Sequence, residues 1–193
     1  MKKQFISPWL MLIIGLFCIA FSAIFVKIAA INGLSAAFYR VTIAAIALFP
    51  FFLWKRQRNL DKKSVLLAVL CGVFFASDLS LWNVSIMKTD ASIATLLGNL
   101  APLWTGILGY FFYKLKPSKA YWIGLFVAMN GVIILLGYSK ILAFEVNAGF
   151  FLSIAASVFY ALYILTSNVV RQNIDTLSFM MFTLVEAVCN ILK

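Results

Sequence analysis

Three ionisable residues stand inside apolar runs of this sequence, and they are the first candidates for chemistry: Arg40 in SAAFYRVTIAA, Asp78 in VFFASDLSLWN and Glu186 in TLVEAVCN. A charge at the centre of a membrane helix costs roughly 2.5–3.5 kcal/mol on insertion scales, so such a group is paired, faces a polar cavity or snorkels to the interface. Counted from the outer ends of their runs, Arg40 and Asp78 each lie about five residues in, or ~8 Å deep at ~1.5 Å per residue. Equal depth predicts that the two charges meet. They then form either a fixed ion pair locking two helices or a cavity-facing site for substrate or a proton, while Arg40 alone could snorkel outward. Glu186 lies about ten residues into its run, near the midplane, where a carboxylate is a functional candidate by default.

A second constellation follows in DLSLWNVSIMKTDASIATLLGNLAP, Asp78 to Pro102. Helical spacing places Ser92, Thr95, Asn99, Pro102, Gly106 and Gly109 on one small, polar face, with Leu96, Leu97, Leu100 and Leu103 off it. Such a face packs closely on a neighbouring helix or lines a polar cavity. Pro102 removes one backbone hydrogen bond and frees a carbonyl near Gly98 and Asn99, a plausible ligand contact at mid-membrane. The preceding run offers Cys71, Phe75, Asp78, Trp82 and Ser85 at steps of four and three, and a later one Ser153, Ala156, Tyr160, Tyr163 and Ser167. Aromatic rings with a few hydroxyls suit amphipathic organic solutes rather than bare ions, although Trp and Tyr near helix ends also serve as interfacial anchors.

The elements that must position these residues are membrane helices. Hydrophobic residues make up 64% of the 193 and charged ones 11%, against about 25% charged in a soluble domain, and the mean hydropathy is +1.03. The net charge of +10 does not point to nucleic acid, because the basic residues sit in short clusters between apolar runs; lipid headgroup phosphates are the expected counterions. Cys18, Cys71 and Cys189 lie in apolar runs with no disulfide framework or metal-ligand spacing, and histidine is absent. No cofactor and no metal is expected. With no Walker A pattern, no H-E-x-x-H and no G-x-S-x-G, direct ATP use and intramembrane catalysis are both disfavoured.

The runs are Pro8 to Ala30, Ser35 to Trp54, Ser64 to Asn83, Ala91 to Tyr113, Ser118 to Tyr138 and Asn147 to Val170, with a seventh from Thr176 to Lys193. The six full runs are each long enough to cross a ~30 Å hydrocarbon core. The first exceeds a signal peptide's apolar core and is read as a retained helix. Short connections predict antiparallel neighbours in sequence order. With the N-terminus inside, the inner segments collect eleven Lys and Arg and the outer loops only Lys27, Lys88 and Lys140, a positive-inside pattern that predicts a cytoplasmic N-terminus in a plasma (inner) membrane. GLFCIAFSAIFVK, from Gly15, has an echo in SIAASVFYALYIL, from Ser153: Phe21 matches Phe159, Ala23 matches Ala161 and Phe25 lies over Tyr163. An odd number of helices per repeat inverts the second copy, an arrangement common in secondary transporters.

Taken together, FSAIFVKIA, SAAFYRVTIAA, NVSIMKTDASIATLLGNLAPLWTGILGYFF, WIGLFVAMNGVIILL and GFFLSIAASVFYALYIL resemble the EamA-domain transporters of the drug/metabolite transporter superfamily. The resemblance implies an all-α polytopic bundle, here about seven transmembrane helices of a ten-helix architecture with inverted five-helix repeats. Residues 1–140 would be the first repeat and 141–193 the incomplete start of a C-terminally truncated second. It also implies a secondary transporter, or the N-terminal part of one, moving small polar or amphipathic metabolites by alternating access, proton- or exchange-coupled. The alternative is a non-transporting membrane scaffold or a remnant of a truncated gene. The expected partners are the lipid bilayer, a small-molecule solute and, to supply missing helices, a homodimer mate. The substrate-pathway candidates are Arg40, Asp78, Trp82, Thr95, Asn99, Pro102, Tyr160 and Glu186, and the stretch from Asp78 to Pro102, lying within the complete first repeat, should keep its local packing despite the truncation.

Overall fold

Ser7, Asp90, Asn147 and Asp175 each precede a helix, and three of them act as side-chain caps. An Asp90 carboxylate oxygen accepts from the Ser92 amide at 2.8 Å, Asn147 from the Phe150 amide, and Asp175 from the amides of Leu177 and Ser178. Each satisfies first-turn donors that the helix itself leaves open. The computed structural model describes residues 7–29, 31–55, 60–136 and 146–192. These form α1 (Pro8–Ile28), α2 (Gly33–Lys55), α3 (Lys62–Lys88), α4 (Ala91–Gly98), α5 (Ala101–Tyr113), α6 (Lys119–Leu136), α7 (Ala148–Val170) and α8 (Thr176–Ile191), with no strand among the described residues. Taking α4 and α5 as the two halves of one span, five spans are long and apolar enough to cross a membrane, and α6 and α8 are shorter apolar helices. The chain is an all-α membrane bundle. Of the basic residues behind the orientation pattern, Lys2, Lys3, Arg56, Arg58 and Lys140 lie outside the described residues.

The long helix α3 is the axis of the bundle. Its most extensive contacts are with α7 and α8, and α8 also packs on α2. Against α7 it runs antiparallel: Thr89 meets Gly149, Phe75 meets Tyr163, and Ala68 lies with Val170. Against α8 it runs parallel: the Thr183 hydroxyl donates to the Ala68 carbonyl at 3.4 Å, and Ala76 clusters with Ala187. Small residues make these approaches tight, as expected where helices associate by close packing rather than by exclusion from water. A Cβ at Gly72 would stand 2.6 Å from the Glu186 Cβ and 2.8 Å from the Thr183 carbonyl oxygen. A Cβ at Gly33, where α2 begins, would stand 2.8 Å from the Asn83 backbone. Ser153 satisfies its hydroxyl on the Gly149 carbonyl of its own helix and Ser77 on that of Val73, whereas the buried Ser178 hydroxyl has no partner.

Two expectations are corrected. Sequence neighbours are not the main packing partners, because α3 buries itself chiefly against α7 and α8, both beyond residue 140. The stretch from Asp78 to Pro102 is therefore not packed within the first 140 residues alone. Secondly, the run from Ala91 to Tyr113 is not one helix but two, parted at Asn99 and Leu100. Helices α1 and α6 are peripheral, and Trp9, Phe17, Ile28, Phe126 and Ile134 project outward from them, the side chains a hydrocarbon environment accepts.

Candidate substrate-pathway site

The aromatic stripes of α3 and α7 face each other. The Phe75 and Tyr163 rings lie 5.4 Å apart between centroids; Tyr163 in turn stacks on Tyr160 at 6.1 Å and on Phe179 at 6.3 Å. The antiparallel register that pairs Phe75 with Tyr163 sets Asp78 level with Tyr160, and the two are within electrostatic range. Asp78 is half-buried. It is thus held at the junction of α2, α3 and α7, with an aromatic wall beneath it.

Arg40 does not meet Asp78 as expected. The two charges act on one another, yet no ion pair within 4.0 Å joins them. The guanidinium instead lies over the Trp82 ring, 5.8 Å from its centroid, a separation at which a cation is attracted to an aromatic face. The cause is positional. Gly33 seats α2 against the Asn83 backbone, and Trp82, one turn outward of Asp78 on α3, presents its ring to Arg40 first.

Trp82 also reaches the broken helix: a Cβ at Gly98, the last residue of α4, would meet its Cδ1 at 3.4 Å. Here the regular helical bonding is interrupted while the backbone stays near helical dihedrals, Asn99 at φ −71°, ψ 0° and Leu100 at φ −72°, ψ −8°. The Asn99 amide still donates to Thr95, but that of Leu100 tightens onto Leu97 at 3.1 Å, and α5 begins at Ala101 with Pro102 in its first turn. Proline has no amide proton for the Gly98 carbonyl, and its ring clashes with that carbonyl in a continuous helix. At the start of a new helix the same residue is well suited. The Pro102 carbonyl accepts a hydrogen bond from the Tyr121 hydroxyl of α6 at 2.6 Å.

The break dissolves the single polar face expected of Ser92 through Gly109. Asn99 and Pro102 are exposed, and Thr95 donates its hydroxyl to the Ala91 carbonyl of its own helix. Gly106 lies against Tyr121 and Trp122 of α6, and Gly109 against Leu115 and Leu165. A change of course between two half-helices turns residues spaced at three and four onto different neighbours. The structure therefore brings together Arg40, Asp78, Trp82 and Tyr160, sets the Gly98–Pro102 break against Trp82, and leaves Glu186 apart. Glu186 sits at the level of Gly72, about 9 Å along α3 from Asp78 at 1.5 Å per residue, and accepts from the Asn190 amide group at 3.0 Å.

Sequence reasoning missed three side chains that shape this region. Asn83 is fully buried; its Nδ2 donates to the Leu79 carbonyl at 2.6 Å, while its Oδ1 has no partner. In the sequence it stands at the end of an apolar run, whereas α3 continues to Lys88. Trp104 Nε1 donates to Ser157 Oγ at 3.0 Å, tying α5 to α7, and Tyr121 holds the break. Ring donors in apolar runs look like interfacial anchors in one dimension, and only the fold supplies their acceptors.

Comparison with known proteins follows this geometry. The profile of the EamA-like transporter family matches residues 7–137. Over 125 residues the chain is 29% identical to the uncharacterized transporter YdfC of Bacillus subtilis (strain 168), covering 64% of this chain and 41% of that protein. Over 106 residues it is 24% identical to an S-adenosylmethionine uptake transporter of Rickettsia bellii (strain RML369-C), covering 55% and 36%. The chain thus spans about two fifths of the length of the curated relatives it matches. No solved structure matches.

Proposed function

We propose that this chain, which belongs to the EamA-like transporter family of the drug/metabolite transporter superfamily, is a secondary transporter or the N-terminal part of one. It is a membrane protein of a transporter family; the finer reading is ours. The solutes are small polar or amphipathic metabolites, moved by alternating access and coupled to protons or to exchange, across a plasma (inner) membrane with the N-terminus cytoplasmic. Residues 1–140 form one repeat and residues from 141 the start of a second, of inverted orientation.

The observation that carries this reading is the placement of Asp78. A carboxylate half-buried between α2, α3 and α7 has Arg40 and Tyr160 in electrostatic range, without a direct ion pair to hold it in one charge state. Beside it, Trp82 rests on a helix broken at Gly98–Pro102, and irregular backbone at membrane depth persists only beside protein or a watery cavity. A protonatable group next to a discontinuous helix is the arrangement that couples ion and solute movement. Arg40 and Trp82 supply charge and a ring face to the solute, Tyr160 a hydroxyl, Asn99 its side-chain amide, and Pro102 the Gly98 carbonyl that it leaves without a helical donor. Thr95 and Glu186 flank this path. A homodimer mate is the proposed source of further helices where this chain alone is present.

The test is a flux assay in proteoliposomes with a panel of amino acids, nucleosides, cationic drugs and S-adenosylmethionine, the last chosen from the name of one relative. Saturable uptake of at least one solute, competed by an excess of the same solute unlabelled, is expected. A folded protein that moves none of them overturns the proposal and leaves the scaffold reading.

A further inference from the structure

Between the outer halves of α1 and α2 lies a cleft of about 500 Å³, lined by Cys18, Ser22, Phe25, Ala29, Tyr39 and Arg40 among other, apolar residues. This volume is within the range of small-molecule sites, ~300–1,000 Å³. Its walls are almost wholly apolar, and Arg40 is the one charged residue among the described residues that line it. The Ser22 hydroxyl, on the floor of the cleft, is shielded and has no hydrogen-bond partner. The surrounding surfaces of α1 and α2 are exposed and apolar: Phe17, Phe21, Ile24, Ile43 and Ile46. Surfaces this apolar suit the hydrocarbon chains of a lipid.

We infer that the α1–α2 cleft binds one anionic membrane phospholipid, its acyl chain between the helices and its phosphate on the Arg40 guanidinium. The charge match decides the class of lipid. Arg40 lies on the second turn of α2, about 10 Å from the helix start at ~1.5 Å per residue, and a long basic side chain at that depth reaches a headgroup by snorkelling. Guanidinium forms paired, charge-assisted hydrogen bonds to phosphate, and a neutral headgroup gains nothing comparable. The guanidinium lies over the Trp82 ring, and its N–H groups are the donors that would meet the phosphate. This site does not depend on the transport reading: a lipid seated here would also wedge α1 against α2 in a protein that moves no solute.

Native mass spectrometry of the purified chain in detergent, with phosphatidylglycerol and phosphatidylcholine of the same acyl composition, tests the inference. The wild type should retain one phosphatidylglycerol in preference to phosphatidylcholine. Arg40→Gln should lower that preference about fivefold, the share of one basic group near a lipid surface, and Arg40→Lys should restore part of it. Ala29→Trp fills the cleft and keeps the charge, so it should reduce retention of both lipids. Lys88→Gln, an exposed cation outside the cleft, should change nothing. Phosphatidylcholine retention serves as the folding reference for Arg40→Gln. An unaltered preference in Arg40→Gln, unaltered retention in Ala29→Trp, or an equal loss in Lys88→Gln each overturns the site.

Discussion

Replacing Gly72 by alanine adds a single methyl group at the closest approach of α3 and α8. The new carbon would stand 2.6 Å from the Glu186 Cβ, 2.8 Å from the Thr183 carbonyl oxygen and 2.9 Å from the Glu186 Cγ. Carbon atoms settle at about 3.5–4.0 Å, so roughly 1 Å of separation must open between two helices. Two of the three obstacles belong to the α8 backbone or are fixed directly to it, and cannot swing aside as a side-chain tip would. The penalty therefore belongs at the upper end of the ~1–3 kcal/mol seen for overpacked interiors. Alanine also recovers about 1 kcal/mol of helix propensity over glycine, leaving a net loss of about 2 kcal/mol. Gly15 and Gly124 serve as controls, since a Cβ there meets nothing within 4 Å; their alanine variants should be neutral or gain up to about 1 kcal/mol. The assay is unfolding in mixed micelles titrated with sodium dodecyl sulfate, followed by circular dichroism. A Gly72→Ala protein as stable as Gly15→Ala would refute the α3–α8 packing.

Tyr121→Phe removes the donor on the Pro102 carbonyl and should lower stability by about 0.6 kcal/mol, the average for such bonds inside membranes, with faster amide exchange confined to residues around 98–104. Trp104→Phe should lose a similar amount by freeing Ser157 from α5, since the Ser157 hydroxyl keeps its own bond to the Ile154 carbonyl; the same titration reads it. Pro102→Ala restores an amide proton opposite the Gly98 carbonyl, so α4 and α5 should become more continuous. Slower exchange at Leu100 to Leu103 and reduced solute flux are the expected signs.

The spans were legible because hydropathy over ~20 residues is a one-dimensional property. The α3 and α7 stripes were each legible, since Phe75 and Asp78, and Tyr160 and Tyr163, recur at helical steps; that the two stripes meet, Phe75 on Tyr163, was not. Pro102 announced a freed carbonyl, but not a full break. That outcome depends on the Leu100 amide tightening onto Leu97 just before Pro102, which lacks an amide proton, and periodicity assumes an unbroken helix. The central role of α3 was not legible at all. In a membrane both the lipid face and the protein face of a helix are apolar, so the pattern that marks a core in soluble proteins carries little information. Equal depth suggested that Arg40 and Asp78 would pair. It could not reveal that Trp82 stands in the way, because depth says nothing of rotation about the helix axis.

The proposed transport reaction requires Asp78 to couple solute movement to an ion. Asp78→Asn keeps the size of the side chain and removes its ability to carry charge. Reconstituted with the wild type in proteoliposomes, this variant should insert normally and unfold at the wild-type detergent fraction. Solute accumulation driven by an imposed pH gradient should fall to background while solute binding persists. Undiminished gradient-driven accumulation in Asp78→Asn would contradict the account.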